Sequence, residues 1–136
     1  MFLLDTNVVS ELRKGARANQ HVLKWFELID SGDLFLSVLV AGELRQGVER
    51  LRLRDAPQAE RLDLWLRRLV DDYAARLLPV DERVAQVWGR LNVPDPIPAV
   101  DGLLAATAIV HDLTLVTRNV KHVERTGARL LNPFEN

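Results

Sequence analysis

Short apolar runs that each stop against a polar residue recur along this chain, with stretches of helical spacing between them. "FLL" runs into Asp5, "LFL" into Ser37, "RLLPV" into Asp81 and "LTLV" into Thr117, while "ARLL" near the end has the same character. Runs this short suit strands, and strands with no polar face belong inside a sheet covered on both sides. Between them, residues such as Val22, Trp25, Phe26 and Ile29 repeat at the spacing of one helical face. Strands alternating with helices predict an α/β fold with a central, mostly parallel sheet of about five short strands.

The boundaries follow from local punctuation. "TNVVSELRKG" reads as a brief helix that Gly15 can end, and residues from about 19 to 30 as a second that "DSGD" stops. Ser37 is placed to cap a helix with Val40, Leu44, Val48 and Leu51 inward, and Pro57 marks the break into another with Leu62, Trp65, Leu66 and Leu69 inward. These two make a helical hairpin. Val84, Val87, Trp88 and Leu91 stripe a further helix, "NVPDPIP" forms a loop, and residues from about 101 to 112 form a helix with Leu104, Ala105, Ala108 and Ile109 toward the sheet. With 136 residues and no internal repeat, residues 1–136 are expected to form a single domain.

Bulk properties remove several classes. A net charge of −1 and a pI near 6.3 give no global attraction to polyanions, so any nucleic-acid contact rests on a local patch. The absence of cysteine excludes disulfides, thiolate zinc sites and thiol catalysis. No window approaches the roughly 20 apolar residues of a membrane span, and the first apolar run is too short for a signal peptide, so a cytoplasmic protein is expected.

In a parallel sheet every strand delivers its following loop to one edge, where chemistry gathers. Asp5 follows the first strand, Glu43 lies about two turns into the helix after the second, Asp101 opens the helix after the proline loop, and Asn119 follows the fourth strand. Asp101 shares its helical face with sheet-facing residues, and burying an unpaired carboxylate costs several kcal/mol, so it calls for a cation or strong donors. Glu43 flanks its helix's inner stripe, where Gly47 leaves room. Each has a plainer reading: Asp5 and Asp101 as helix N-caps, Glu43 as a solvated flank, Asn119 as a turn or cap residue. Asp81 is read as a cap, and His21, His111 and His122 as surface residues. The combination carries the functional case. Three carboxylates on one edge repel unless a cation neutralises them, and oxygen ligands suit Mg²⁺ or Mn²⁺, the equipment of phosphoryl chemistry.

Three segments, "LLDTNVVSEL", "LSVLVAGELRQGVERL" and "VDGLLAATAIVHDLTLVTRNVKHVERTGARLLNPFE", together resemble PIN-domain proteins of the VapC type in their FitB-like branch. The resemblance spans essentially the whole chain. It implies a three-layer α/β/α PIN-like domain and a Mg²⁺- or Mn²⁺-dependent ribonuclease that is the toxin of a toxin–antitoxin pair. The family's acidic positions fall on Asp5, Glu43 and Asp101, with its fourth, often aspartate, on Asn119. Thr6 and Thr117 would orient the ligands, with Asn7 close by. The implied reaction is in-line attack of water on an RNA phosphodiester, leaving a 5′-phosphate and a 3′-hydroxyl. The implied partners are RNA, a cognate antitoxin whose C-terminal segment crosses the hairpin, and a second copy in a homodimer or hetero-oligomer.

Arg45, Arg50, Arg52, Arg54, Arg118, Lys121 and Arg125 flank the proposed site in sequence, and Arg118, beside Asn119, is the best placed to touch RNA. Leu53 and Leu64 fall off the hairpin's inner stripes and hint at a partner surface. An aspartyl-phosphate phosphatase would want an aspartate where Asn7 stands; a receiver domain would want paired acids at the first strand; a Rossmann domain would need its glycine fingerprint there. The stronger alternative is a PIN-like binding module that lacks strong nuclease activity and works through a DNA-binding antitoxin.

Overall fold

The computed structural model describes residues 1–135. Five strands form one parallel sheet: β1 (Phe2–Leu4), β2 (Leu34–Ser37), β3 (Leu77–Leu78), β4 (Thr114–Val116) and β5 (Arg129–Leu131), in the spatial order β3-β2-β1-β4-β5. Leu3 and Leu4 point to opposite faces of β1 and are 0% and 1% exposed, so both faces of the sheet are covered. The chain steps outward from β1 to β2 and β3, then crosses back to pair β4 against the other side of β1. Right-handed crossovers therefore put the helices before β3 on one face and those after it on the other, giving the three layers.

Helices α1 (Thr6–Leu12), α2 (Gln20–Glu27), α3 (Val38–Arg52) and α4 (Ala56–Asp72) lie between β1 and β3. Helices α5 (Glu82–Leu91) and α6 (Ala99–Val110) join β3 to β4, and the four-residue α7 (Val120–Val123) joins β4 to β5. Ser37 caps α3 by accepting from Leu39 N at 3.0 Å, and Asp81 caps α5 by accepting from Val84 N at 3.0 Å. Pro57 lies in the first turn of α4, where its missing N–H costs nothing. Val40, Leu44, Val48 and Leu66 lie buried between α3 and α4 and join the core of the sheet.

Several boundaries differ from the sequence expectation. Helix α1 ends at Leu12, and Gly15 lies past it with φ +61°, serving a separate tight turn rather than the helix terminus. Strand β3 has only two residues, because Pro79 follows at once and cannot donate to a ladder. Helix α6 starts at Ala99 with Pro98 at its N-cap, so Asp101 lies inside the first turn and is not a cap. Ile109 is 38% exposed instead of facing the sheet. At about 100° per residue it lies beside Ala105 but well round the helix from Leu104 and Ala108, at the edge of the buried face. Gly102 lets α6 approach α5: a Cβ there would come within 3.2 Å of the Trp88 ring. Among the described residues no helix is long and apolar enough to cross a membrane.

Candidate active site

The sheet changes direction between β1 and β4, and the crevice above the carboxyl ends of such a pair is where α/β sheets hold ligands. The two strands are locked together there. Asp5 N donates to Val116 O at 2.9 Å, one residue beyond β1, and Thr117 N donates to Leu131 O at 3.0 Å, one residue beyond β4. This register sets Asp5 and Thr117 side by side.

Asp5 is 4% exposed, and both of its carboxylate oxygens are held. Oδ1 accepts from Thr6 N at 2.6 Å; Oδ2 accepts from the Thr117 hydroxyl at 2.7 Å and from Asn7 Nδ2 at 3.3 Å. Although Asp5 precedes α1, its bond goes to the helix's first N–H rather than to the second or third that an ordinary N-cap takes. Burial pushes the Asp5 carboxyl above its usual range; the Thr117 hydroxyl and Thr6 N–H pull it back in part, and the charges of Asp101 and Glu43 push it further up. Asp5 therefore senses the other two acids. Among the described residues no cationic side chain forms an ion pair with Asp5 or Glu43.

Glu43 reaches the site from α3, and its Oε1 accepts from the Thr6 hydroxyl at 2.5 Å. Thr6 thus serves two acids, one through its backbone and one through its side chain. Gly47 faces open space, so its missing side chain is not what makes room for Glu43. Asp101 enters from the first turn of α6, with Oδ2 2.7 Å from Nδ1 of His122. Asn119 stands at the N-cap position of α7 without a side-chain cap bond, while its N–H donates to the Thr117 hydroxyl at 3.0 Å. Asn7 closes the arrangement by accepting from Arg118 N at 3.2 Å.

Of the three histidines expected at the surface, His21 and His122 are exposed and His111 is not fully so. His122 is half exposed but pairs with Asp101, a contact invisible in sequence because α7 docks on α6 only in the fold. His111 is half-buried at the end of α6, with Nε2 shielded from solvent, whereas His21 is exposed. The basic residues also divide. Arg45 and Arg52 donate to the buried Asp63 at 2.8 and 3.3 Å, with Arg67 beside them, and Arg125 donates to the carbonyls of Asp95 and Pro96. These are occupied within the fold. The Arg118 guanidinium lies 4.3 Å from the centre of the Phe134 ring, and Arg50, Arg54 and Lys121 make no ion pair among the described residues. Among the described residues no three acidic or histidine side chains are gathered closely enough to hold a metal ion as they stand. Asp101 and Glu43 are near enough to Asp5 for their charges to act on it.

A PIN-domain profile matches residues 2–127 of the chain. The chain is 34% identical to Toxin FitB of Neisseria gonorrhoeae, with all of both chains covered, and 32% identical to VapC ribonuclease Y4jK of Sinorhizobium fredii, with 99% of each covered. The crystal structure of FitAcB from Neisseria gonorrhoeae superposes with a TM-score of 0.91 at 32% identity over the whole of both chains. With its sheet order, its acidic edge and these likenesses together, the chain belongs to the PIN-domain family.

Proposed function

We propose that this protein is the ribonuclease toxin of a toxin–antitoxin pair, hydrolysing RNA phosphodiesters with the help of Mg²⁺ or Mn²⁺. The observation that carries this reading is Asp5: a buried carboxylate with no cationic side chain paired to it among the described residues, held by hydrogen bonds at the sheet's switch point and within electrostatic reach of Glu43 and Asp101. Full-length similarity to a toxin and to a named ribonuclease supports it.

The donor set fits a hard divalent cation. Asp5, Glu43 and Asp101 would hold it: carboxylate oxygens are the ligands Mg²⁺ takes, and it keeps several waters and needs few of them. Such a cation, when bound, lowers the pKa of water and polarises a phosphate oxygen. The chain's own residues prepare the rest. Thr6 and Thr117 fix the two Asp5 oxygens, and Thr6 also fixes Oε1 of Glu43, leaving Oε2 to turn toward ligand or water. Asn119 brings a neutral amide to the position beside Thr117, where it can hydrogen-bond a phosphate oxygen without repelling it. Arg118, stacked on Phe134 at the rim, is the arginine for an RNA phosphate. In-line attack of water leaves a 5′-phosphate and a 3′-hydroxyl.

The antitoxin surface is assigned to the α3–α4 hairpin, where Leu53 is 90% and Leu64 49% exposed. Purified protein free of partner should cut a pool of structured RNAs with Mn²⁺ or Mg²⁺, stop with EDTA, and lose cutting as Asp5→Ala. A second reading, a binding module working through a DNA-binding partner, is favoured by the neutral Asn119 and by the solved structure of FitAB bound to a DNA fragment, 32% identical to this chain. Tight partner binding with no metal-dependent cleavage of any RNA in the pool would select it.

A further inference from the structure

Each acid of the cluster has a side-chain donor that fixes one oxygen, and for Asp101 that donor is a residue outside the four positions of the site. Asp5 has Thr117 and Glu43 has Thr6. Asp101 has His122, whose Nδ1 lies 2.7 Å from Oδ2. A carboxylate oxygen accepts, so Nδ1 carries the proton and donates. We infer that His122 is the positioning residue of Asp101: it holds Oδ2 and leaves Oδ1 free for a cation that Asp5, Glu43 and Asp101 would share.

The surrounding structure holds His122 in place for this. Helix α7 is one turn long and could not fix a side chain alone, but it is tied at both ends. At its start Asn119 N donates to Thr117, whose hydroxyl is already on Asp5. After its end Arg125 donates to the carbonyls of Asp95 and Pro96, in the loop that leads into α6. The same loop is braced from within by Ile97 N donating to Asn92 Oδ1 at 3.0 Å. The segment bearing His122 and the helix bearing Asp101 are thus fastened to each other independently of the His–Asp bond. With the imidazole 52% exposed, the pair adds little to stability, since exposed pairs are weak. Its consequence falls on the orientation of Asp101, which is 15% exposed and would otherwise rotate among acids that repel it.

The inference rests on the metal site proposed above, and the test separates the two. Mn²⁺ binding to the purified protein is measured by titration calorimetry for wild type, Asp101→Ala, His122→Ala and His122→Asn, with thermal melts in EDTA alongside. His122→Ala should weaken Mn²⁺ by about ten- to a hundredfold, the usual effect of losing a residue that orients a ligand. His122→Asn, whose amide can donate from near the position of Nδ1, should recover most of that loss, and both variants should melt in EDTA as wild type does. At saturating Mn²⁺ the His122→Ala cleavage rate should return toward wild type. Wild-type affinity in His122→Ala, with Asp101→Ala impaired, would overturn this inference and leave the metal site standing. Equal weakening in His122→Ala and His122→Asn, or a matching fall in the EDTA melts, would also overturn it. Absence of Mn²⁺ binding in wild type would overturn the site itself.

Discussion

Asp5 keeps its place against the cost of burial because the fold surrounds it with hydrogen-bond donors. Its folded-state pKa is raised, chiefly by burial, above the ordinary 3.8. Below that value folded and unfolded chains are both protonated and Asp5 costs nothing. As pH rises from 3.8 through the folded pKa, the unfolded chain ionises first and stability is lost. The metal-free stability of wild type relative to Asp5→Asn should therefore fall with rising pH across that window and then level off. Denaturant melts of both proteins in EDTA check this; a difference independent of pH would contradict the burial. In the sequence Asp5 and Asn119 stood out because each comes after a short apolar run, and Glu43 and Asp101 because each shares or flanks the inner stripe of a helix. It did not show His122, since nothing local to "NVKHV" signals a partner on another helix.

At the scale of elements, the α3–α4 hairpin was legible from its two apolar stripes, whose period is local. Its polar lock was not. Asp63 is buried and accepts from Arg45 and Arg52 on α3 and from Arg67 on its own helix, so arginines that look available in sequence are spent on one carboxylate. These arginines, Arg45 first, hold the Asp63 carboxyl below its usual range. Stability from this lock is present above 3.8 and is lost as pH falls through the lower folded value. Asp63→Ala should lower the melting temperature at neutral pH, whereas Ala at the exposed Asp71 should leave it unchanged. Leu66→Ala, which empties the packing beneath, should cost about 2–5 kcal/mol in urea melts. An Asp63→Ala protein as stable as wild type would show the arginine cluster to be surface decoration.

For the whole molecule, the hairpin's outer leucines make the separable prediction. Leu53 is almost wholly exposed and Leu64 half-buried, so Leu53→Asp with Leu64→Asp should leave the monomer folded, at a cost of about 1 kcal/mol. The same pair of changes should weaken antitoxin co-purification and self-association, read by pull-down and light scattering. Unchanged assembly would move the partner surface elsewhere. The sequence by itself determined the kinds of element, their order along the chain, a sheet covered on both faces, and the acidic character of one edge. Those follow from periodicity and from the residue that ends each run, information carried within a few residues. Only the tertiary structure decided that β4 lies against β1, which brings Thr117 to Asp5 across 112 residues, and that α7 lies against α6, which brings His122 to Asp101. Strand neighbours are chosen by backbone hydrogen bonds and crossover handedness, which are alike for every sequence and leave no mark in any one segment.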